Sequence, residues 1–515
     1  MLIVLKYLGL AVVLIAVAIV AARAVFAIPP NRALATTALP AAQTGPLADA
    51  LRERTARHEG KTGIAPLRTG ADAFAARMVL ADVAVKSIDA QYYIWHDDLT
   101  GMLLLDALKR AADRGVRVRL LLDDNGTSGM DRQIVALDAH PMAEVRIYNP
   151  FNLRGTLKMA SFAFDFFRLN RRMHNKSFTV DGHVTVTGGR NVGDEYFDTG
   201  PTALYVDLDV LAAGRVVPQV SADFDRYWNS PSVHPASQVV PPADTTDAIG
   251  ARLAELRDDP QMAEYRGLLG ASHIVEELVQ GDLGMEWTDV RLFSDDPAKG
   301  QGAVPREDLL AVRLKGAVGE IEQRFDAVSA YFVPTKAGVD AFTRLEQRGA
   351  RVRILTNSLE ATDVLPVHAG YSKRREAMLD AGVELYELRR QAASITPRDK
   401  VGPFGSSGSS LHAKTFAVDA ERIFVGSFNF DPRSTTLNTE MGLLIESPDL
   451  ARGAHERFDR GLDGMAWRVE RLDGKLIWTD PSDPGAAPLT SEPGGSPLRN
   501  AAITVIGWLP VEWLL

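Results

Sequence analysis

The sequence predicts an α/β protein built as two duplicated halves, each a mixed sheet covered by helices, behind an N-terminal membrane-inserting segment. Three observations carry that expectation. First, His174, Lys176, Asp181, Gly188 and Asn191 return together, each 238 positions later, as His412, Lys414, Asp419, Gly426 and Asn429. Second, a strand–helix–strand pattern ahead of the first set recurs ahead of the second. Third, the chain opens with an unbroken apolar run from Tyr7 to Ala22.

The N-terminal run is flanked by Lys6 and Arg23, and Ala24 to Ile28 continue its apolar character. Residues 1–28 therefore read as a signal anchor, with the lysine snorkelling to extend the span, or as a signal peptide cleaved after Val25-Phe26-Ala27. Either way the remainder is exported. Pro29-Pro30 and the Ala/Thr/Pro-rich stretch to residue 46 read as a tether.

With 515 residues and 46% hydrophobic content, the chain is long enough for two domains beyond that segment. The spacing places the first over 47–230, a Pro-rich linker over 231–250, the second over 251–470, and a turn-rich tail with an apolar end over 471–515. Within the first, Leu47 to Leu51 and Ala71 to Ala84 have helical patterning. Gly60-Lys61-Thr62 imitates part of a phosphate-binding loop, but Thr55 stands where that loop needs its first glycine. Ser87 to Trp95 reads as a strand, Leu103 to Ala112 as a helix and Val116 to Leu122 as a strand, which makes a βαβ unit. Phe325 to Val333, Val339 to Gln347 and Arg351 to Arg353 repeat it.

Each copy of the recurring set spans a hairpin. Ser177 to Val180 and Val184 to Thr187 are β-branched runs broken by Asp181-Gly182, and Thr415 to Val418 and Ile423 to Val425 are broken by Asp419-Ala420. Alternate residues of a strand share a face, so His174 and Lys176 present an imidazole beside an ammonium, as do His412 and Lys414. That pairing suits an anion and a nucleophilic or proton-transferring nitrogen. Two such strands meeting at a shared cleft bring two imidazoles and two lysines to one phosphate.

The double His-x-Lys-x-x-x-x-Asp pattern with trailing Gly-Gly or Gly-Ser and Asn resembles the phospholipase D superfamily. The string Gly426 to Glu440, the stretch Gln91 to Asp98 and the membrane-inserting N-terminus are similar to the bacterial cardiolipin synthases of that superfamily, in the cardiolipin synthase C-like subgroup. The resemblance covers about Ala71 to Asp449 and implies an α/β/α sandwich for each half. It implies a membrane phosphatidyltransferase that makes cardiolipin from phosphatidylglycerol and a second phospholipid through a phosphohistidine. Phosphatidylethanolamine is a further candidate substrate, and a helper protein a candidate partner. The expected location is the bacterial inner membrane, with the catalytic part on its outer side. A phospholipid hydrolase using water as acceptor is the alternative.

On this reading His174 attacks phosphorus, and His412 protonates the departing alcohol and then deprotonates the incoming hydroxyl. Lys176 and Lys414, with Asn191 and Asn429, hold the phosphoryl oxygens in place of a metal ion, so no cofactor is expected. Asp207 and Glu440, each leading an apolar strand, are the candidates to orient the histidines, with Glu440 expected to hold His412. Ser427 joins the residues expected around the substrate. Asp181 and Asp419 complete the catalytic motif but carry hairpin-turn chemistry, which favours a structural role. His96 has no second His or Cys spaced to join it, so no metal site is assigned.

Two segments break the duplication. Lys158 to Arg172 crowds four phenylalanines with basic residues, and reads either as a core helix with a solvated basic end or as an interfacial element that holds lipid head groups. Gly402 to Ser410 is a Gly/Ser loop. The C-terminal Ala501 to Leu515, with Trp508 and Trp513, is too short to span a membrane and reads as interfacial or packing. The 57 basic against 66 acidic residues give −9 overall, which disfavours nucleic acid as a partner. Intact histidines and lysines in both copies disfavour an idle scaffold. Zero cysteines exclude disulfides and thiolate chemistry.

Overall fold

The computed structural model describes the chain except residues 1, 198–206, 243–246, 260–261, 264, 266, 268–273, 281–282 and 391–410. Gly402 to Ser410 thus lie outside the described residues. The β-branched runs form strands buried on both faces. The first half holds β1 (Thr62–Leu67), β2 (Ser87–Ile94), β3 (Arg117–Gly126), β4 (Ala143–Tyr148), β5 (Ser177–Val180), β6 (Val184–Gly188), β7 (Asp209–Gly214), β8 (Val233–Pro235) and β9 (Glu286–Thr288). The second holds β10 (Val290–Ser294), β11 (Arg324–Ser329), β12 (Arg351–Asn357), β13 (Glu384–Leu388), β14 (Lys414–Val418), β15 (Arg422–Gly426), β16 (Met441–Ile445), β17 (Ala466–Leu472) and β18 (Lys475–Thr479).

The strand orders are β8-β4-β3-β2-β5-β6-β7-β1-β9 and, read from the matching edge, β18-β17-β13-β12-β11-β14-β15-β16-β10; β8 to β1 correspond to β17 to β10, and β9 and β18 are unmatched edge strands. In each, the βαβ strands pair in parallel (β2 with β3, β11 with β12), and the motif hairpin joins the first of them antiparallel. Both sheets are therefore mixed, and the expected hairpins and βαβ units are present. The helices Leu99–Asp113 and Thr335–Gln347 make the parallel crossovers.

The domain boundary differs from the expected 231–250. β8 pairs with β4 and β9 with β1, so the chain stays in the first sheet as far as Thr288 and enters the second at Val290. Proline-rich composition marked a turn there, whereas strand pairing decides the domain. The 29–46 stretch also differs from a free tether. It lies along the first half as a strap: Asn31 Nδ2 donates to Val233 O (2.6 Å), Arg146 Nη2 to Leu34 O (2.7 Å), Ala38 N to Asp225 Oδ2 (2.8 Å) and Ala42 N to Asp181 O (2.9 Å). Part of the expected tail is a strand, β18, and its helix Pro497–Trp508 packs on Leu365–Asp380.

Leu2–Val25 forms one helix, α1, long and apolar enough to cross a membrane, with its apolar side chains exposed. Its end docks on the helix Phe162–Leu169: Arg23 pairs with Asp165 at 3.0 Å, and Phe26 meets Phe164 with centroids 5.9 Å apart. The two sheets meet through Val210, Ala212, Ile423, Val425, Met441 and Leu443 of β7, β15 and β16, an all-apolar seam that places the two motif hairpins side by side.

Asp181 and Asp419, both in the left-handed region (φ 52°), close their hairpins and point away from the cleft. Asp181 accepts from Val85, Lys86 and Ser87 N, and Asp419 from Glu322, Gln323 and Arg324 N. Their place among catalytic residues is thereby corrected: each carboxylate pins the turn entering the central strand. Asp181→Ala leaves three amides without that acceptor, at about 1–3 kcal/mol for each one left unsatisfied. We expect a clearly lowered thermal midpoint, a smaller drop in Asp181→Asn, and catalytic turnover per folded molecule largely retained in Asp181→Asn.

Candidate active site

The first motif is delivered to the second half by a single bridge. Met173 and Thr439 pair in parallel, with Thr439 N donating to Arg172 O and His174 N to Thr439 O, both at 2.9 Å. Glu440 follows Thr439 and so lies beside His174, with Nδ1 2.8 Å from Glu440 Oε2 and 3.1 Å from Ser427 O. A backbone carbonyl only accepts, so Nδ1 carries the hydrogen and Nε2 keeps its lone pair. His412 Nδ1 lies 2.6 Å from Asp207 Oδ2. Each imidazole is thus held by a carboxylate of the other half. Glu440 holds His174, and the expectation that it holds His412 is corrected: residues adjacent in sequence share a sheet, but the bridge carries Glu440 across the seam.

The two orienting sites are built differently. Ser427 Oγ donates to Glu440 Oε2 and accepts from Met441 N at 3.0 Å, so its hydroxyl positions the carboxylate and is not left for a substrate. The matching residue is Gly189, where an added Cβ would stand 2.1 Å from Asp207 Oδ1. The shorter Asp207 reaches His412 by packing onto that glycine. Arg190 secures it, donating through Nη2 to Asp207 O at 2.8 Å and through Nε to Tyr196 O at 3.1 Å. Asp207, Glu440 and Ser427 are accordingly positioning residues rather than groups around the substrate.

Lys176 Nζ donates to His174 O at 2.5 Å, and Lys414 Nζ likewise to His412 O. Both lysines are buried. Asn191 Oδ1 accepts from Ile94 N (3.2 Å) and Asn429 Oδ1 from Tyr331 N (3.3 Å), so each asparagine also ties its hairpin to the neighbouring strand end. Asn191 Nδ2 is buried without an acceptor among the described residues. Tyr93 and Tyr196 stand edge-on to His174 and His412, centroids 5.1 and 5.0 Å away; Tyr93 lies in the Gln91 to Asp98 stretch, whereas no motif pointed to Tyr196.

Burial, then the charges of Lys176 and Lys414, push both imidazoles well below their ordinary value, so both are neutral near pH 7. Burial also brings Lys176 down to about 7 and Lys414 to about 8, against the pull of Glu440 and Asp207. Glu440 is pushed up to about 7 by burial, opposed by Lys176. An entering anion opposes the shifts of the imidazoles and lysines, and favours the neutral form of Glu440 further. The cleft is thus a buried anion receptor with two lone-pair nitrogens.

Comparison with known proteins agrees with that geometry. A family described as "Cardiolipin synthase, PLD-like domain" matches residues 80–228 and 314–462, one copy in each half. The chain is 48% identical to cardiolipin synthase C of Escherichia coli (strain K12), over 91% of this chain and 99% of that protein. The chain belongs to the phospholipase D-like cardiolipin synthase family. A relative in Helicobacter pylori (strain ATCC 700392 / 26695), an uncharacterized protein, is 31% identical over 84% of this chain and 86% of its own length. Among solved structures, phosphatidylserine synthase of Haemophilus influenzae Rd KW20 shares the fold, with a TM-score of 0.56 at 15% identity, covering 90% of this chain and 100% of that one.

In this phospholipase D-like protein the basic segment before His174 does not offer its charges freely. Arg172 is buried against Asp123 (2.9 Å), Lys158 reaches Asp124 Oδ1 (3.1 Å), and Arg168 pairs with Asp165 (2.6 Å). Phe167, Leu157 and Met159 remain exposed. His96 gathers Glu195 (3.1 Å) and Asp98 (3.9 Å), partners sequence spacing hid. Burial works against the charge, but the hydrogen bond and charge of Glu195 raise His96 to about 9, which makes it an imidazolium in an ion cluster.

The lysine values give a pH dependence. An ammonium with a lowered pKa is charged below it and lost as pH rises through it, so kcat/KM for phospholipid should fall on an alkaline limb at about pH 7–8. The imidazoles place no limb above pH 6.5. Lys414→Arg, which keeps its charge at any working pH, should lower the rate yet move its share of the limb upward; an unmoved limb would assign it elsewhere.

Proposed function

We propose that this protein is a membrane phosphatidyltransferase that makes cardiolipin from phosphatidylglycerol and a second phospholipid, phosphatidylethanolamine being one candidate. The observation that carries the reading is the pair of imidazoles, each fixed through Nδ1 by the opposite half, with two buried lysines beside them. The kinship with cardiolipin synthase C supports the choice of lipid.

His174 Nε2, its tautomer locked by two acceptors, attacks phosphorus of the phosphodiester; the bond to the departing alcohol oxygen breaks and that oxygen takes a proton from His412. His412 is neutral before substrate binds; the anion bound beside Lys176 and Lys414 favours uptake of a proton from solvent at Nε2, and this is the proton passed to the departing oxygen. In the second step His412 Nε2 removes the proton of the acceptor hydroxyl, the oxygen attacks phosphorus, and the P–N bond to His174 breaks. Lys176 and Lys414 compensate the phosphoryl charge throughout. Asn191 Nδ2 is a further donor. No cofactor or metal is called on in these steps. Water in place of the glycerol hydroxyl turns the same site into a phospholipase D.

The docking of Arg23 on Asp165 and Phe26 on Phe164 favours a retained anchor over a cleaved signal. The expected setting is the inner membrane with the catalytic part on its outer side, and a helper protein remains a candidate partner. The net charge of −9 weighs against nucleic acid.

Lipid analysis of membranes in which this protein is the sole candidate synthase should show cardiolipin with it and none without it; phosphatidic acid in its place would identify the hydrolase. His174→Ala and His412→Ala should each reduce turnover by at least about 10³-fold, since both steps need both nitrogens. His412→Asn quenched in alkali should carry phosphate on the His174 peptide, and an adduct accumulating only in His174→Asn would reverse the assignment. A chelator should leave the rate essentially unchanged.

A further inference from the structure

The halves differ in what covers the helices beside their active-site strands. In the first, Gly70–Val83 and Leu99–Asp113 are overlaid by Ala248–Leu256 and Ile274–Gln280, and Tyr265 fills the space edge-on to Phe74, centroids 4.7 Å apart. Met262, Tyr265 and Leu278 complete that core. In the second, Leu310–Val318 and Thr335–Gln347 instead bound a cavity of about 1000 Å³. Its walls include Leu314, Phe325, Phe342, Phe416, Phe428 and Phe430, and the last two flank Asn429 of the catalytic motif. The size is that of the larger small-molecule sites, and the lining is mainly apolar, with Asp431 as its buried carboxyl.

The rim has one sign of charge in excess. Arg306, Lys315, Arg344 and Arg348 line the mouth with Glu320, and among the described residues none of the four cations has an ion-pair partner. An apolar chain with an anionic head complements both features at once. The apolar helix α1 is also linked to this place. Pro432, Thr435 and Thr436 form one wall, while Arg433 of the same turn donates through Nη2 to Asn170 Oδ1 at 2.6 Å, next to the helix on which α1 docks.

We propose that this cavity binds an acyl chain of an anionic phospholipid, with the lipid phosphate on the Arg306, Lys315, Arg344 and Arg348 rim. The proposal deepens the reading of the protein as a lipid phosphatidyltransferase and rests on it for the class of ligand. It is tested without turnover. Full-length His174→Ala protein is placed in phosphatidylcholine nanodiscs containing phosphatidylglycerol with a photoactivatable diazirine at the chain end, irradiated, and its peptides mapped.

Adducts should appear on peptides containing Phe342 and Phe428 to Phe430, be competed by unlabelled phosphatidylglycerol, and fall about tenfold with Ala341→Trp, which fills the cavity, and with Arg344→Glu/Arg348→Glu, an exposed pair that leaves the core intact. Adducts confined to α1 and Leu157 to Phe167, or cavity adducts unmoved by both variants, overturn it, as does equal labelling by a phosphatidylcholine probe. Because the protein is inactive by design, labelling with no cardiolipin made by wild type removes the proposed reaction and leaves this site standing.

Discussion

The imidazole–carboxylate pairs that cross the seam, His174 with Glu440 and His412 with Asp207, tie the remaining structure together. A neutral histidine is a nucleophile at one nitrogen only if the other is held in the protonated tautomer, and here the holder always comes from the opposite half. Neither half contains a complete orienting site alone. The apolar contact of β7 with β15 and β16, the Met173–Thr439 bridge and the turns pinned by Asp181 and Asp419 all serve to keep those two pairs in register.

The electrostatics follow from placing six ionisable groups in one buried space. Burial opposes every charge, so the imidazoles sit far below their ordinary range and Lys176, Lys414 and Glu440 are drawn toward neutrality from opposite sides. A phosphodiester in this space favours the imidazolium and ammonium forms that burial opposes. The site therefore favours an anion flanked by nitrogens, which is the charge pattern a phosphoryl group presents in transfer.

Duplication then allowed the halves to diverge without losing the shared cleft. Glycine with aspartate on one side and serine with glutamate on the other reach equivalent nitrogens by different chain lengths. Outside the cleft the difference is larger: the first half carries the strap, the docked apolar helix and the overlying helices, while the second has an open, mainly apolar cavity beside its motif.

The duplication, both hairpins, both βαβ units, the membrane-length helix and the residue types of the cleft were legible in the sequence, because fixed spacing and period-2 or 3.6 patterning are local properties of the chain. What lay beyond it was set by contacts between distant segments. Composition placed a linker at 231–250, but β8 and β9 still had unpaired edges of the first sheet to complete. Proline content suggested a free tether, yet side chains across the first half had donors and acceptors for its backbone. Arg172 and Arg168 looked available and are neutralised by Asp123 and Asp165. The exchange of carboxylates between the histidines is the clearest case: sequence alone named His174, His412, Asp207 and Glu440, and only the packing of one sheet against the other decided which acid faces which imidazole.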